Sequence, residues 1–264
     1  MSGVTVVRGI APLILSIPHA GTEIPEFYRP SFTSLWLARK DADWHLPGLY
    51  DFAKTIGATI IQTNISRSVI DMNRDPSGAS LYPGQITTGL CPTETFDGEP
   101  LYHPGQAPDT QAILHRRAQF FDPYHAAIRA EILRLRALHP RVVLYDCHSI
   151  RSEIPRLFPG ILPNFNIGTN DGKTCGSGIT EQVAAICATT PGLSHVVNGR
   201  FKGGYITRHY GNPDDGVHAI QMELACRGYM DEPATPDIEN WPSPMHPHPA
   251  ILPILKTILE RFIP

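Results

Sequence analysis

The sequence predicts an α/β protein whose central sheet is largely parallel and covered by helices on both faces, a three-layer α/β/α arrangement. Four short apolar runs lack regular polar–apolar alternation, which is typical of strands buried on both faces. Segments with helical periodicity lie between these runs, and strands that alternate with helices indicate a parallel sheet. The 264 residues can bury a sizeable core, and we expect one domain over residues 1–264.

Each element follows from a local pattern. The predicted strands are Leu13–Ile17, 58–62, 142–145 and 219–224. The predicted helices are 44–55, 110–138, 180–188 and 251–262. The first helix should end at Gly57, and the second should divide near Pro123, with Asp122 as the cap of its second half. The Gly-, Pro- and Thr-rich segments 75–108 and 151–177 are predicted to be long functional loops.

The composition argues against several classes of protein. A formal net charge of -3 argues against a nucleic-acid-binding surface, and no apolar run approaches the length of a membrane span. The N-terminus lacks the apolar segment of a secretion signal. The five cysteines are odd in number and contain no Cys-x-x-Cys pair, which favours reduced thiols in a cytoplasmic protein. We interpret Cys147, beside His148, as structural.

Three residues near predicted strand ends could carry metal chemistry. His19 follows the first strand in "SIPHAG", His148 follows the third in "YDCHS", and Glu223 lies in the fourth, in "HAIQMELAC". Ligands of open α/β sheets bind beyond the carboxyl ends of the strands, and two histidines with an acid suit a hydrolytic zinc site. The alternative is that each histidine is a hydrogen-bonded structural residue.

Two cationic clusters suggest binding of an anionic substrate. In "SRSVIDMNRDP", Arg67, Asn73 and Arg74 could grip a carboxylate, or the cluster could be a set of exposed ion pairs. In "NGRFKGGYITRHYG", basic residues alternate with glycines, as in a substrate-facing loop or a plain exposed turn. The basic side chains of this second cluster that we consider for substrate binding are Arg200, Lys202 and Arg208.

Taken together, these stretches resemble the N-formylglutamate amidohydrolase (deformylase) family. The resemblance runs from about residue 12 to 230. The matching stretches are "SIPHAG", "DADWHLPGLYDFA", "SRSVIDMNR", "TTGLCPTETFDGEPLY", "YDCHSIRS", "PNFNIGT", "NGRFKGGYITRHYGNP" and "HAIQMELA". The resemblance implies a fold similar to the zinc carboxypeptidases, with a mixed, mostly parallel sheet flanked by helices.

The resemblance also implies roles for the matched residues. His19 and His148 would be ligands of Zn²⁺, with another divalent transition metal as the alternative, and Glu223 the general base. Asn73 and Arg74 match the pair that holds a substrate carboxylate. The third metal ligand departs from the carboxypeptidase pattern His-x-x-Glu, because Thr22 stands third after His19. We expect Asp43, in the "D-W-H" motif, to be this ligand, with Glu23 as the alternative.

The activity implied is hydrolysis of N-formyl-L-glutamate to formate and L-glutamate, the last step of one route of histidine degradation. A substrate with two carboxylates explains several cationic side chains in a chain of net negative charge. Arg74 is the first choice for one carboxylate, and the candidates for the other are Arg67, Arg200, Lys202 and Arg208. The alternatives are a deacylase of another N-acyl amino acid, a small carboxypeptidase, or a non-catalytic carboxylate-binding protein.

Overall fold

The computed structural model describes residues 2–81, 84 and 87–263 of the chain. Its centre is a seven-stranded sheet in the order β1-β3-β2-β4-β7-β5-β6. The strands are β1 Val4–Val7, β2 Leu13–Ile17, β3 Thr59–Thr63, β4 Val142–Ile150, β5 Phe165–Gly168, β6 His195–Val197 and β7 Val217–Ala225. The pairs β1/β3 and β5/β7 are antiparallel and the other four are parallel. The expected mixed, mostly parallel sheet is therefore confirmed.

Helices cover both faces of this sheet. They are α1 Leu37–Lys40, α2 Leu46–Leu49, α3 Thr110–Arg116, α4 Asp122–Arg136, α5 Ser177–Cys187, α6 Tyr205–Tyr210 and α7 Ile251–Glu260. Alternate residues of β2 enter two separate cores: Leu13 and Leu15 pack with α5 and α7, whereas Ile14 packs with α4. This division makes the three layers that the unalternating strand sequences predict.

The sequence prediction missed β1, β5 and β6. These strands contain 4, 4 and 3 residues, too few for a periodic signal, and β5 lies inside the segment 151–177 that we expected to be a loop. The strands β4 and β7 extend beyond their predicted ends, to Ile150 and Ala225. His148 therefore lies within a paired strand rather than in the loop that follows it, and Glu223 lies within its strand as expected.

The predicted helix 44–55 is broken into α2 and a 3-10 turn, Asp51–Lys54, because "LPGL" places a proline and a glycine in its first turn. The predicted helix 110–138 does divide before Pro123, where α4 begins, but a π-helical turn, Arg117–Phe121, joins its halves. The helices α5 and α7 begin and end within three residues of the predicted bounds 180–188 and 251–262.

All five cysteines are free and buried. Cys147 packs in the core on the sheet face opposite His148. None of the helices in the described residues is both long and apolar enough to cross a membrane.

Candidate metal centre and active site

Strand register brings the candidate residues together at one end of the sheet. His148 of β4 and Glu223 of β7 are direct partners in the parallel ladder. His19 follows β2, the neighbour of β4 on the other side. Asp43 lies in the turn between α1 and α2, and its backbone N–H donates to the carbonyl of His19 at 3.0 Å. Four residues distant in sequence thus meet at the carboxyl ends of adjacent parallel strands.

His19, Asp43 and His148 form a buried group whose potential ligand atoms all lie within 4.8 Å of one another. Asp43 Oδ2 is 3.8 Å from His19 Nδ1 and 3.2 Å from His148 Nδ1. Glu23, the alternative third ligand, lies elsewhere: it is exposed and accepts a hydrogen bond from Asn64. The structure therefore brings Asp43, and not Glu23, to the two imidazoles.

Each of these histidines is tied on its other nitrogen to a second carboxylate. His19 Nε2 is 2.7 Å from Asp71 Oδ1, and His148 Nε2 is 2.9 Å from Asp146 Oδ2. Since each Nε2–H donates to a carboxylate, Nδ1 is the nitrogen that each ring turns toward Asp43. Carboxylate partners of this kind fix the tautomer and orientation of metal-ligating histidines.

The sequence prediction did not assign roles to Asp71 or Asp146. A usable signal was present for Asp146, because residues two apart on a strand share a face, and Asp146 and His148 are so spaced in "YDCHS". Asp71 carried no comparable signal, since it lies in a loop 52 positions from His19 in the sequence.

Unpartnered buried atoms test whether this group fits a metal. Among the described residues, His19 Nδ1 and Asp43 Oδ1 are buried side-chain atoms without a hydrogen-bond partner. Buried polar atoms are rarely left unsatisfied without a reason, such as an ion that belongs there. Two imidazole nitrogens and a carboxylate oxygen also form a donor set suited to zinc. The residues present therefore fit a divalent transition metal.

The two histidines have opposite electrostatic environments. Burial, together with the nearby Arg67 guanidinium, lowers the pKa of His19, which favours the neutral, ligating form. Burial acts in the same direction on His148, but the Asp146 and Asp43 carboxylates outweigh it and raise its pKa well above the ordinary value. The raised pKa of His148 reflects the concentration of carboxylates around it, which a bound cation would neutralise.

Arg67 links Asp71 to the group of His19, Asp43 and His148, which we call the metal group. Its Nη2 is 2.8 Å from Asp71 Oδ2, and its Nη1 is 3.5 Å from Asp43 Oδ1. The guanidinium lies 4.8 Å from the centre of the Phe96 ring. Arg67 is buried, so these charge-assisted contacts hold it in one position at the wall of the cleft.

Glu223 is a buried acidic side chain in the same cleft. It is 7% exposed and lines the same cleft as His19 and His148. Burial raises its pKa to about 7, although His148 acts in the opposite direction. A carboxyl group that is half ionised near neutral pH suits general acid–base chemistry.

The cleft has a polar side and an apolar side. Arg74 and Arg200 line it, and Arg74 donates through Nε to the carbonyl of Thr88 at 2.9 Å. The apolar wall is formed by Phe96, Ile150, Leu157 and Phe201. Convergent charged groups in an apolar cleft are typical of a site for a small charged ligand.

Two predicted substrate-binding residues lie away from this cleft. Among the described residues that line it, neither Lys202 nor Arg208 is present. Lys202 Nζ is 3.0 Å from Asp171 Oδ2, and Arg208 Nε donates to the carbonyl of Gly203 at 2.9 Å.

Asn73 lines the cleft while supporting its framework. Its Nδ2 is 3.2 Å from Asp146 Oδ2, and its Oδ1 accepts from the backbone N–H of Ile206 at 2.7 Å. The amide thereby connects the support of His148 to the start of α6.

Comparison with known proteins identifies the family of this chain. The family model of N-formylglutamate amidohydrolase matches residues 11–230. The chain belongs to the N-formylglutamate amidohydrolase family. The resemblance expected from the sequence motifs is thereby confirmed.

Curated relatives of this family member include two proteins named N-formylglutamate deformylase. The protein of Pseudomonas aeruginosa is 47% identical over 227 residues, covering 86% of this chain and 85% of its own length. The protein of Pseudomonas putida is 46% identical over 225 residues, covering 85% and 84%.

Solved structures share the fold over nearly the whole chain. An N-formylglutamate amidohydrolase from Ralstonia eutropha superimposes with a TM-score of 0.76 at 21% identity, covering 99% of this chain and 96% of its own. A gene product of Agrobacterium tumefaciens gives a TM-score of 0.73 at 17% identity, covering 99% and 95%. At these identities the likeness concerns the fold alone.

Proposed function

We propose that this protein is a zinc-dependent hydrolase that converts N-formyl-L-glutamate to formate and L-glutamate, as the last step of one route of histidine degradation. The observation that carries the proposal is the convergence of the His19–Asp43–His148 group and Glu223 in one cleft that also contains three arginines. The deformylase names of relatives with 46% and 47% identity support the choice of substrate. Five free, buried cysteines support a reducing, cytoplasmic setting.

The proposed roles follow from position. His19, Asp43 and His148 hold the metal, and Asp71 and Asp146 keep the imidazoles oriented. A zinc ion supplies Lewis acidity there, because it polarises a carbonyl oxygen and makes water more acidic.

Glu223 carries the proton. It accepts a proton from the attacking water and returns it to the departing amine of glutamate. Its buried position beside His148 in the ladder keeps the carboxylate within the part of the cleft where the metal group lies.

The arginines account for the two carboxylates of the substrate. We assign one carboxylate to Arg74, supported by Asn73, and the other to Arg200, because both arginines line the cleft. Arg67 is held by Asp71 and Asp43, so its role is to stabilise charge near the reacting carbonyl rather than to bind a distant carboxylate. Lys202 and Arg208 have no direct role in this assignment.

The test combines metal analysis with an assay of formate release. We expect purified protein to contain about one zinc per chain and to release formate from N-formyl-L-glutamate much faster than acetate from N-acetyl-L-glutamate. Neutral N-formyl amino acids should also be poor substrates, because one arginine would remain unpaired in the complex. Equal turnover of acetylated substrates would indicate the broader deacylase, and release of C-terminal amino acids from peptides a carboxypeptidase.

Substitution of the proposed base separates catalysis from binding. Glu223→Gln should lower kcat by about 100-fold or more while zinc content stays at one per chain. Unchanged activity in this variant would overturn the role of Glu223 and favour a different base.

A matched pair of substitutions tests the third ligand. Asp43→Asn should lower zinc affinity, whereas Glu23→Gln should leave it unchanged, since Asp43 lies beside both imidazoles and Glu23 is exposed and bonded to Asn64. The reverse result would assign the third ligand to Glu23.

A further inference from the structure

The amide side chain of Gln221 lines the cleft beside Glu223, the proposed base. We infer that Gln221 is a positioning residue that holds Oε2 of Glu223, so that Oε1 is the oxygen that accepts the proton. The inference rests on the proposed function, because Glu223 acts as the base only within it. It adds a residue and an atom-level assignment to that proposal.

The strand places the two side chains side by side. Gln221 and Glu223 both belong to β7, and residues two apart on a strand project from the same face. Both line the cleft, and Gln221 Nε2 is 3.0 Å from Glu223 Oε2. The contact is therefore built into the strand and does not depend on a mobile loop.

The orientation of the Gln221 amide is determined by its other partner. Amide oxygen and nitrogen atoms are assigned from their hydrogen-bond partners. The backbone N–H of Gly204 can only donate, and it lies 2.8 Å from Gln221 Oε1. The oxygen must face Gly204, so the NH₂ group must face the Glu223 carboxylate and donate to it.

The Gly204 backbone is itself held in place. A Cβ atom on Gly204 would lie 2.3 Å from Asn73 Nδ2, so the close approach of these two segments requires glycine. The next turn is anchored to the same residue, because Ile206 N–H donates to Asn73 Oδ1 at 2.7 Å. A continuous series of contacts thus runs from Asn73 through Gly204 and Gln221 to Glu223.

The two carboxylate oxygens of Glu223 have different surroundings. Among the described residues, the Gln221 amide is the only hydrogen-bond donor to this carboxylate, and it contacts Oε2 alone. A donated hydrogen bond favours the ionised form of a carboxylate and restricts its rotation. Oε1 is left to the cleft, where a general base must meet the proton that it abstracts.

Two variants test the positioning role of Gln221, so that the test does not depend on the correct folding of a single variant. Gln221→Leu removes the amide, and Gln221→Glu keeps an acceptor for Gly204 but removes the donor to Glu223. We expect both to lower kcat for formate release by about 10- to 100-fold, with KM within about twofold and zinc content unchanged. Gln62→Leu is the matched control, a strand glutamine of β3 outside the cleft, and should keep wild-type kinetics.

A double-mutant cycle distinguishes positioning from a general structural effect. If Gln221 acts through Glu223, Gln221→Leu should lower the residual rate of Glu223→Gln by less than twofold, because the group that it positions is already lost. A full 10- to 100-fold loss in that background would overturn the inference, as would wild-type kcat in both single variants. Wild-type protein that releases no formate would overturn the proposed function and this inference with it, which is a different result.

Discussion

At the scale of single residues, the metal group is organised by what each histidine does with its second nitrogen. His19 and His148 each donate from Nε2 to a buried carboxylate, so both present Nδ1 to Asp43. Asp71 has three donors around it: His19 Nε2 at 2.7 Å, Arg67 Nη2 at 2.8 Å and the Asn73 N–H at 2.8 Å. Burial acts to raise the pKa of Asp71, but His19, Arg67 and Arg74 outweigh it and hold that pKa well below its ordinary value. An ionised Asp71 is therefore a fixed part of the site.

Neutralising Asp71 should weaken metal binding without removing a ligand. In Asp71→Asn, one oxygen acceptor is replaced by a donor that faces His19 or Arg67. We expect zinc affinity to fall about 10- to 100-fold, the usual effect of losing such a carboxylate. The measurement is zinc titration against a competing chelator, with the surface variant Asp51→Asn as control. Wild-type affinity in Asp71→Asn would show that the tautomer of His19 is fixed by other contacts.

At the scale of elements, the site depends on the pairing of β4 with β7 and on the approach of α6 to β7. The ladder places His148 opposite Glu223, and the segment before α6 contacts both Asn73 and Gln221. The opposite side of α6 packs on α4, where the His125 ring lies beside Tyr210. The position of α6 is therefore determined from both sides.

Gly204→Ala tests the approach of α6 to the cleft. The added Cβ would meet Asn73 Nδ2 at 2.3 Å, so α6 or Asn73 must shift. We expect kcat/KM for formate release to fall about 100-fold or more, with destabilisation of about 1–3 kcal/mol, as is usual for an overpacked site. Gly178→Ala is the matched control, since a Cβ added at Gly178 in α5 would meet nothing within 4 Å. Wild-type activity in Gly204→Ala would mean that this contact can relax at no cost to catalysis.

His125 makes the α4–α6 contact sensitive to acid. Its Nε2–H donates to the carbonyl of Met72 at 2.9 Å, its Nδ1 is 2.9 Å from the Tyr210 hydroxyl, and burial lowers its pKa to about 4. The unfolded chain has the ordinary value near 6.5, so between pH 6.5 and 4 the unfolded state binds more protons. The stability that neutral His125 contributes is therefore complete above pH 6.5 and is lost as the pH falls, by about 2 kcal/mol at pH 5.

Denaturant unfolding at pH 7 and pH 5 measures this effect. In His125→Gln, the contribution of His125 to the pH dependence disappears, so the difference in unfolding free energy between wild type and variant should narrow by about 2 kcal/mol toward pH 5. The exposed Gln111→Ala, which neither adds nor removes a titratable group, should keep a constant difference from wild type. A constant difference for His125→Gln as well would show that His125 keeps its ordinary pKa.

At the scale of the whole molecule, a sheet buried on both faces supports a site made of residues far apart in sequence. The two cores on either side of the sheet meet through β2, β4 and β7, the strands next to the metal group. The proposed ligands converge only when these strands are paired, so metal binding at this site would be coupled to folding of the whole sheet.

Metal removal should therefore lower global stability. A ligand that binds only the folded state stabilises it by about 2.7 kcal/mol at a free concentration 100 times its Kd. For a chain of 264 residues, we expect zinc to raise Tm by several degrees and a chelator to reverse the rise. Thermal unfolding with and without zinc measures this shift, and Asp43→Asn should show a smaller one. Equal shifts in both proteins would place the stabilising zinc site elsewhere.

Particular residues show how much of this the sequence determined. The apolar strand cores, the helical segments and the candidates His19, His148 and Glu223 could be predicted because hydrophobic periodicity and strand ends are local patterns. The same patterns could not separate Asp43 from Glu23, or Arg200 from Lys202, since each alternative has an equally suitable local sequence.

Only the tertiary structure decided which distant residues become neighbours. It brought Asp43 to the histidines, placed His148 opposite Glu223, and inserted the short strand β5 antiparallel beside β7. The physical reason is that local sequence fixes the period and burial of each element, whereas strand order and register depend on the packing of the whole chain. The residue types of the site could therefore be predicted from the sequence, whereas their geometry arose from the pairing of β2, β4 and β7.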